Sequence, residues 1–100
     1  MSAYAIVDLD IFDIEDYLHY QHALKPLLDA AGARYLARGG EYAVLAGDFH
    51  PQRLILLEFP CYDALIDFYR GEAFQLLETQ RRACCRARII GVQGLGKDSG

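Results

Sequence analysis

The sequence predicts an α+β domain whose strands and helices follow the order β-α-β-β-α-β. Four segments are rich in the apolar and aromatic residues that favour strands, and two longer segments repeat apolar residues at helical spacing. Glycine and proline stand at several of the boundaries between these segments. This order is the split βαβ, or ferredoxin-like, arrangement, in which helices cover one face of a four-stranded, mainly antiparallel sheet.

The first third of the chain predicts one strand and one helix. Residues 3–9, AYAIVDL, form the strand, and Asp13 is a good N-cap for the helical pattern that follows. That pattern continues to Ala31, and Gly32 ends it as a residue able to adopt a left-handed conformation. Pro26 lies inside the pattern, so we expect the helix to be kinked or split there.

The middle of the chain predicts a hairpin of two strands. The second strand spans residues 33–46 and is interrupted by Gly39 and Gly40, and the third spans residues 53–60. A glycine pair inside a strand is typical of a β-bulge, which inserts one residue and re-aims the side chains beyond it. We therefore expect one of the two glycines to have a positive φ angle and the strand pairing to be irregular there.

A second helical region and a last strand complete the domain. The helical pattern spans residues 62–84 with a break near Gly71, and residues 86–92 form the fourth strand. Residues 94–100 are rich in glycine and predict a frayed tail. A chain of 100 residues has the size of one domain, so we expect residues 1–100 to form a single unit.

The composition indicates a partner and disfavours several classes of function. Hydrophobic residues make up 53% of a chain whose sheet has one bare face, so we expect a homodimer that covers this face with a second copy. The net charge of −4 disfavours nucleic acid, and no apolar run approaches the ~18 residues needed to span a membrane. The three cysteines, an odd number, indicate free thiols in the reducing cytoplasm.

Three charged residues form the candidate functional site. A charge beneath the helices is costly, so Asp8, Arg38 and Glu58 are assigned to the open face of the sheet, which a second subunit would cover. The expected bulge brings Arg38 opposite Glu58. The first and third strands are expected to be parallel neighbours, which places Asp8 beside Glu58 at one end of this face.

This charged trio has two interpretations. Two acids beside one arginine can transfer protons in a catalytic site, or they can form a structural charge cluster. On an otherwise apolar face, charges of this kind are also typical of ligand pockets. The candidate ligand-binding residues are Tyr4, Asp8, Arg38, Glu58 and Tyr69. For Tyr69, burial in the core with its hydroxyl at the edge is favoured over a place in the pocket.

Other reactive side chains are weaker candidates. His19 and His22 lie on the first helix, where a solvated surface is favoured over a metal site because no third ligand is evident, so no metal site is predicted. Cys84 and Cys85 have arginines nearby, which would lower a thiol pKa, but inert buried cysteines are the favoured interpretation. No phosphate-binding glycine loop or catalytic triad is legible, and no cofactor is predicted.

Three segments together resemble a known family. The stretches YAIVDLD, RYLARGGEYAVLAGDFHPQRLILLEFP and YDALIDFYRGEAFQ are similar to the short uncharacterised proteins of domain of unknown function 1330. That family belongs to the dimeric α/β-barrel superfamily, beside cofactor-free monooxygenases. The resemblance covers residues 3–92 and implies a ferredoxin-like subunit and a homodimer whose two sheets close a barrel, but no established activity. The family usually has Trp where Phe49 stands and Ser where Cys61 stands.

Two functions from different classes fit the sequence. The first is a small-molecule site in the barrel that binds or transforms an organic compound without a cofactor, and the polar trio on an apolar face supports it. The second is a dimeric interaction protein in which the charges are structural, and the lack of a strong catalytic motif supports it. An open cavity that reaches solvent favours the first function, whereas a dry, filled interior favours the second.

Overall fold

The computed structural model describes residues 1–96 and has the predicted order of elements, with the second helical region divided at Gly71. The elements are β1 (Ala3–Ile11), α1 (Ile14–Ala30), β2 (Arg34–Arg38), β3 (Leu54–Phe59), α2 (Tyr62–Arg70), α3 (Glu72–Arg82) and β4 (Cys85–Gln93). Gly94 is the first residue of the segment that was expected to be a frayed tail. It is held by a hydrogen bond, because its N–H donates to the Ser2 carbonyl oxygen at 2.8 Å. The rest of that tail, residues 97–100, lies outside the described residues. Among the helices of residues 1–96, none is long and apolar enough to cross a membrane.

The four strands form one antiparallel sheet in the order β2-β3-β1-β4, which is the expected ferredoxin-like arrangement. The expectation that the first and third strands run parallel is wrong. Because β3 returns antiparallel to β2, and β2 runs in the same direction as β1, β3 is also antiparallel to β1. In this register Tyr4 lies opposite Glu58, and Asp8 lies opposite Leu54.

The three helices pack on one face of the sheet, and alternate strand residues form the core beneath them. This helix-covered face holds the aliphatic and aromatic residues that the period-two pattern of the strands assigns to it. Its buried residues are Ala3, Ala5, Val7 and Leu9 of β1 and Ile55, Leu57 and Phe59 of β3.

Tyr69 belongs to this core and not to the open face. The centre of its ring lies 5.8 Å from that of Phe59 and 5.0 Å from that of Phe74. Burial raises the pKa of Tyr69. The sheet therefore separates Tyr69 from Asp8 and Glu58, so the favoured core position of Tyr69 is confirmed and its candidate role in the same pocket is wrong.

Local sequence signals explain where the helices begin and end. Asp13 caps α1 by accepting a backbone N–H from the first turn at 3.1 Å, and Gly32 follows the helix with a φ of 75°. Cys61 caps α2, and its Sγ accepts the N–H of Ala64 at 3.4 Å. Helix α1 continues through Pro26 to Ala30, so of the two expected effects of Pro26, a kink or a split, the split does not occur.

The second strand differs most from its prediction. β2 ends at Arg38, and residues 39–53 form a loop instead of a continuation of the strand. Gly39 has a φ of 67°, which confirms a positive φ within the glycine pair. The bulge in the strand pairing, however, is at Leu36, where no glycine marks it. The glycine pair turns the chain out of the sheet.

The bulge reverses the direction of the side chains that follow it. Arg38 pairs with Ile55, a residue of the helix-covered face, so the Arg38 side chain leaves the sheet on the helix side. Its Cζ lies 4.7 Å from the centre of the Tyr35 ring. The predicted pairing of Arg38 with Glu58 is therefore wrong, because Arg34 occupies the position opposite Glu58.

Candidate functional site

The face of the sheet without helices, here called the open face, is apolar in its centre and charged towards both ends. In the centre, Ile6 is 38% exposed, Leu56 is 37% exposed and Ile90 is 63% exposed. Contiguous apolar exposure of this kind is common on surfaces where another molecule binds. The open face consists of Tyr4, Ile6 and Asp8 of β1, Leu54, Leu56 and Glu58 of β3, and Arg88, Ile90 and Val92 of β4.

Loop 39–53 lies against one end of the open face and forms one side of a cavity of about 580 Å³ that is broadly open to solvent. Pockets for small organic molecules have volumes of roughly 300–1,000 Å³ and mostly apolar walls. Asp8 and Arg88 provide the charged part of the wall. The apolar part includes Ile6, Leu54 and Ile90 of the sheet and Tyr42, Val44 and Phe49 of the loop.

Hydrogen bonds hold the loop in this position. The Tyr42 hydroxyl donates to the Pro51 carbonyl oxygen at 2.6 Å, which joins the two ends of the loop. At the point where the loop enters β3, Asp8 Oδ1 accepts the backbone N–H of Gln52 at 2.9 Å and that of Arg53 at 3.3 Å. The wall of the cavity is therefore tied to β1 through one carboxylate.

The other oxygen of Asp8 binds β4. Arg88 lies directly opposite Asp8 on the neighbouring strand, and its Nη2 donates to Asp8 Oδ2 at 2.5 Å. Burial on its own would raise the pKa of Asp8, but the hydrogen bonds from Arg88, Gln52 and Arg53 and the charge of Arg88 outweigh it and lower the pKa. Asp8 is thus an ionised carboxylate with both oxygens occupied, which makes it a poor general base.

Glu58 lies at the other end of the open face. Its Oε1 accepts a hydrogen bond from Arg34 Nε at 2.6 Å, and the Glu58 side chain is 20% exposed. Because Glu58 pairs with Tyr4, four residues before Asp8, the two acids are separated by roughly 13 Å along the strands. The prediction of one cluster of Asp8, Arg38 and Glu58 is therefore wrong, although both acids are on the open face as expected.

The remaining candidates form no second reactive centre in the described part of the chain. His19 and His22 are exposed on α1, and no group of three potential metal-ligating side chains occurs among residues 1–96. Cys84 and Cys85 are buried free thiols. Burial raises the pKa of Cys84 and, with the neighbouring thiol, raises the pKa of Cys85 to about 12, so both are poor nucleophiles.

Two parts of the site, Arg88 and loop 39–53, were not predicted from the sequence. Arg88, the partner of Asp8, could have been found from the ferredoxin-like strand order, which places β4 beside β1. Alternation along β4 then puts Arg88 and Ile90 on the same face as Asp8. Loop 39–53 carries no such signal, because its apolar residues fit a strand equally well.

Solved structures with a similar fold are mostly of unknown function. A protein of unknown function from Rhodopseudomonas palustris matches with a TM-score of 0.72 at 18% identity, over 95% of this chain and 83% of that chain. A dimeric ferredoxin-like protein of unknown function from Jannaschia sp. CCS1 matches with a TM-score of 0.66 at 14% identity, over 94% and 100%. SnoaB, a cofactor-independent oxygenase from Streptomyces nogalater, matches with a TM-score of 0.64 at 7% identity, over 99% and 98%. At these identities the likeness shows the fold alone.

Comparison at the level of sequence gives the family. No curated protein matches the chain. The family model described as a domain of unknown function, DUF1330, matches residues 2–95, which is nearly the whole chain. The resemblance inferred from the sequence is therefore confirmed, and the chain belongs to the DUF1330 family.

Proposed function

We propose that this chain binds a small, mainly apolar organic molecule in the cavity between loop 39–53 and the open face, as one subunit of a homodimer. The observation that carries the proposal is the cavity itself. Its volume of about 580 Å³ and its apolar wall with one ion pair have the dimensions and chemistry of a ligand pocket.

The charges at the cavity support binding and positioning of a ligand more than proton transfer. Asp8 is fully engaged with its three donors, so it offers no base for catalysis. The Arg88 side chain is 77% exposed and retains N–H groups for a polar atom of the ligand. The oxygenase of similar fold, SnoaB, supports the proposal only in that this fold can host small-molecule chemistry without a cofactor.

The homodimer is supported by apolar surface that a single chain leaves bare. On the open face Val92 is 47% exposed in addition to Ile90, and Leu36 at the bulge is 48% exposed. The radius of gyration is 14.2 Å, compared with about 13 Å for a compact domain of this length. Structural neighbours from Jannaschia sp. CCS1 and Thermobifida fusca are described as dimeric ferredoxin-like proteins.

The tip of the loop favours a second candidate function, binding of another protein. Leu45 is 92% exposed and Phe49 is 68% exposed, and exposed apolar residues on a loop are common at protein interfaces. In that case the cavity would be a by-product of the loop conformation, and no small molecule would bind in it.

Fluorescence titration with 2-naphthol distinguishes the two functions. The chain contains no tryptophan, so the naphthol signal can be followed without background from that residue. We expect saturable binding that is at least tenfold weaker in Ala46→Phe, which fills the cavity, and unchanged in Ala73→Phe, on the exposed start of α3. Binding that is absent, or equally strong in both variants, would overturn the small-molecule function in favour of the protein-binding function.

A further inference from the structure

A polar groove of about 420 Å³ adjoins the open-face cavity, and both spaces are lined by Asp8 and Arg88. The alternation of the strands explains why the two spaces differ. On one side of the ion pair between Asp8 and Arg88, the residues of the open face are apolar. On the other side, the next residues of the same face are Asp10 of β1 and Arg86 of β4, which lie directly opposite each other. The apolar cavity therefore continues into charged surface.

The loop forms a wall of both spaces. Phe49 and Pro51 line the apolar cavity, whereas Asp48, His50 and Gln52 line the polar groove. Successive side chains thus alternate between the two spaces along this part of the chain. A molecule in the cavity would consequently have a polar space directly beside it.

Asp10 and Arg86 carry opposite charges but do not bind each other. Although they face each other on neighbouring strands, no ion pair of either side chain occurs among residues 1–96. Both residues are exposed. Exposed charges are usually solvated and contribute little to stability. What distinguishes this pair is its position in a groove beside an apolar cavity, where both charges are available to the polar end of a ligand.

The signs of the charges indicate the chemistry of that polar end. Arg86 and Arg88 share the groove with three aspartates, one of which, Asp48, is hydrogen-bonded to His50 at 3.2 Å. A simple anion would be repelled by the aspartates, and a simple cation would be repelled by the arginines. A group that carries one charge of each sign is complementary to both.

We propose, as an extension that rests on the proposed function, that the ligand of the open-face cavity is an amino acid with an apolar side chain, bound as a zwitterion. The apolar side chain of the ligand lies in the cavity. The ligand carboxylate accepts N–H groups of Arg86 and Arg88, and the ligand ammonium group donates to Asp10. Cross-strand neighbours such as Asp10 and Arg86 have Cβ atoms about 5 Å apart, so one zwitterionic group can contact both.

Fluorescence titration of the intact chain with three indole compounds tests the proposal, because the chain contains no tryptophan of its own. The compounds share the same apolar body. L-Tryptophan has both charged groups, indole-3-propionate lacks the ammonium group, and tryptamine lacks the carboxylate. We expect L-tryptophan to bind at least tenfold more tightly than either analogue.

Substitutions in the groove separate the two charges. Arg86→Met should remove the advantage of L-tryptophan over tryptamine, and Asp10→Asn should remove its advantage over indole-3-propionate. Arg70→Met and Asp63→Asn, at exposed positions on α2, are the matched controls and should keep both advantages. None of the four substitutions should change the binding of 2-naphthol, which needs only the cavity.

Several outcomes would overturn the zwitterion. L-Tryptophan that binds no more tightly than one of its analogues would show that only one charge, or neither, is recognised. An advantage that survives both Arg86→Met and Asp10→Asn would show that the groove does not bind the charged groups. Binding of 2-naphthol without binding of L-tryptophan would refute the amino acid as ligand but leave the small-molecule function intact, whereas failure of both to bind would refute both.

Discussion

Asp8 connects three segments that are far apart in the sequence. Its two oxygens bind the end of loop 39–53 and Arg88 of β4, while its backbone belongs to the central strand β1. A single carboxylate therefore fixes one wall of the cavity, and its role is structural as well as electrostatic.

Asp8→Asn is expected to lower the free energy of unfolding by about 1–3 kcal/mol near neutral pH, because the amide lacks the charge that binds three donors. The pKa of Asp8 is lowered in the folded state, so its contribution is complete above the ordinary pKa of 3.8 and is lost as pH falls through the folded-state pKa. Urea unfolding across this acidic range should show a smaller loss of stability in Asp8→Asn than in the wild type. Asp10→Asn, at an exposed acid on the same strand, is the control. The same pH dependence in Asp8→Asn and the wild type would contradict this role.

Gly39 and Gly40 form a matched pair for a test of backbone conformation. Gly39→Val should cost about 1–3 kcal/mol, since a β-branched residue is strained at positive φ and its Cβ would meet the Arg53 guanidinium. Gly40 has no heavy atom within 4 Å of a built Cβ, so Gly40→Val should have a smaller effect. Chemical denaturation measures both, and equal losses of stability would show that Gly39 has no special role.

At the scale of elements, the ends of the helices could be predicted from the sequence, whereas the register of the strands could not. Asp13, Gly32 and Gly71 mark the helix boundaries because capping and termination depend on a few neighbouring residues. The bulge at Leu36 has no local signal, since it depends on how β2 fits β3. One residue of slip changes the face of every side chain beyond it, which is why Arg38 was misplaced.

The same reasoning explains which half of the candidate site was predictable. Asp8 and Glu58 were assigned to the open face from the cost of a charge beneath the helices together with alternation, because each strand keeps its period of two. Their separation follows from strand direction, which the predicted order of elements implies, because the helix crossover makes β2 parallel to β1 and the hairpin then reverses β3. The apolar residues of loop 39–53 predicted a strand because packing against an apolar face and pairing within a sheet select similar side chains.

Double-mutant cycles test the register directly. Arg34 and Glu58 should show a coupling of about 0–1 kcal/mol, a small value because the Arg34 side chain is 70% exposed. Arg38 and Glu58 should show none, since they point to different faces of the sheet. The cycles compare Arg34→Met and Arg38→Met, each combined with Glu58→Gln, by chemical denaturation. Coupling for Arg38 but not for Arg34 would refute the register.

At the scale of the whole molecule, the domain is thin and one face of its sheet is not covered by helices, which favours a homodimer. The principal dimensions are 44 × 35 × 18 Å, so the short axis accommodates one sheet and one layer of helices. Helices protect one side of this layer, and loop 39–53 covers part of the other. A second copy would cover the remaining apolar surface of the open face and close the cavity further.

Ile90→Glu is expected to convert a dimer into a monomer, because it places a charge in the centre of the open face. Leu76→Glu is the matched control, since Leu76 is 73% exposed on α3, away from that face. Sedimentation equilibrium should give the mass of two chains for the wild type and the control and of one chain for Ile90→Glu. A wild type that sediments as one chain at micromolar concentration would refute the homodimer.

The central claim is that the cavity on the open face is a small-molecule site, and contacts between protons of the ligand and of the protein test it most directly. Nuclear Overhauser effects should connect 2-naphthol to the methyl groups of Ile6, Leu54 and Ile90, which line the cavity. They should be absent for the methyl groups of Leu24 and Leu77, which pack in the core on the other side of the sheet. Contacts to those core methyl groups, or none to the three cavity residues under conditions of saturation, would contradict the account.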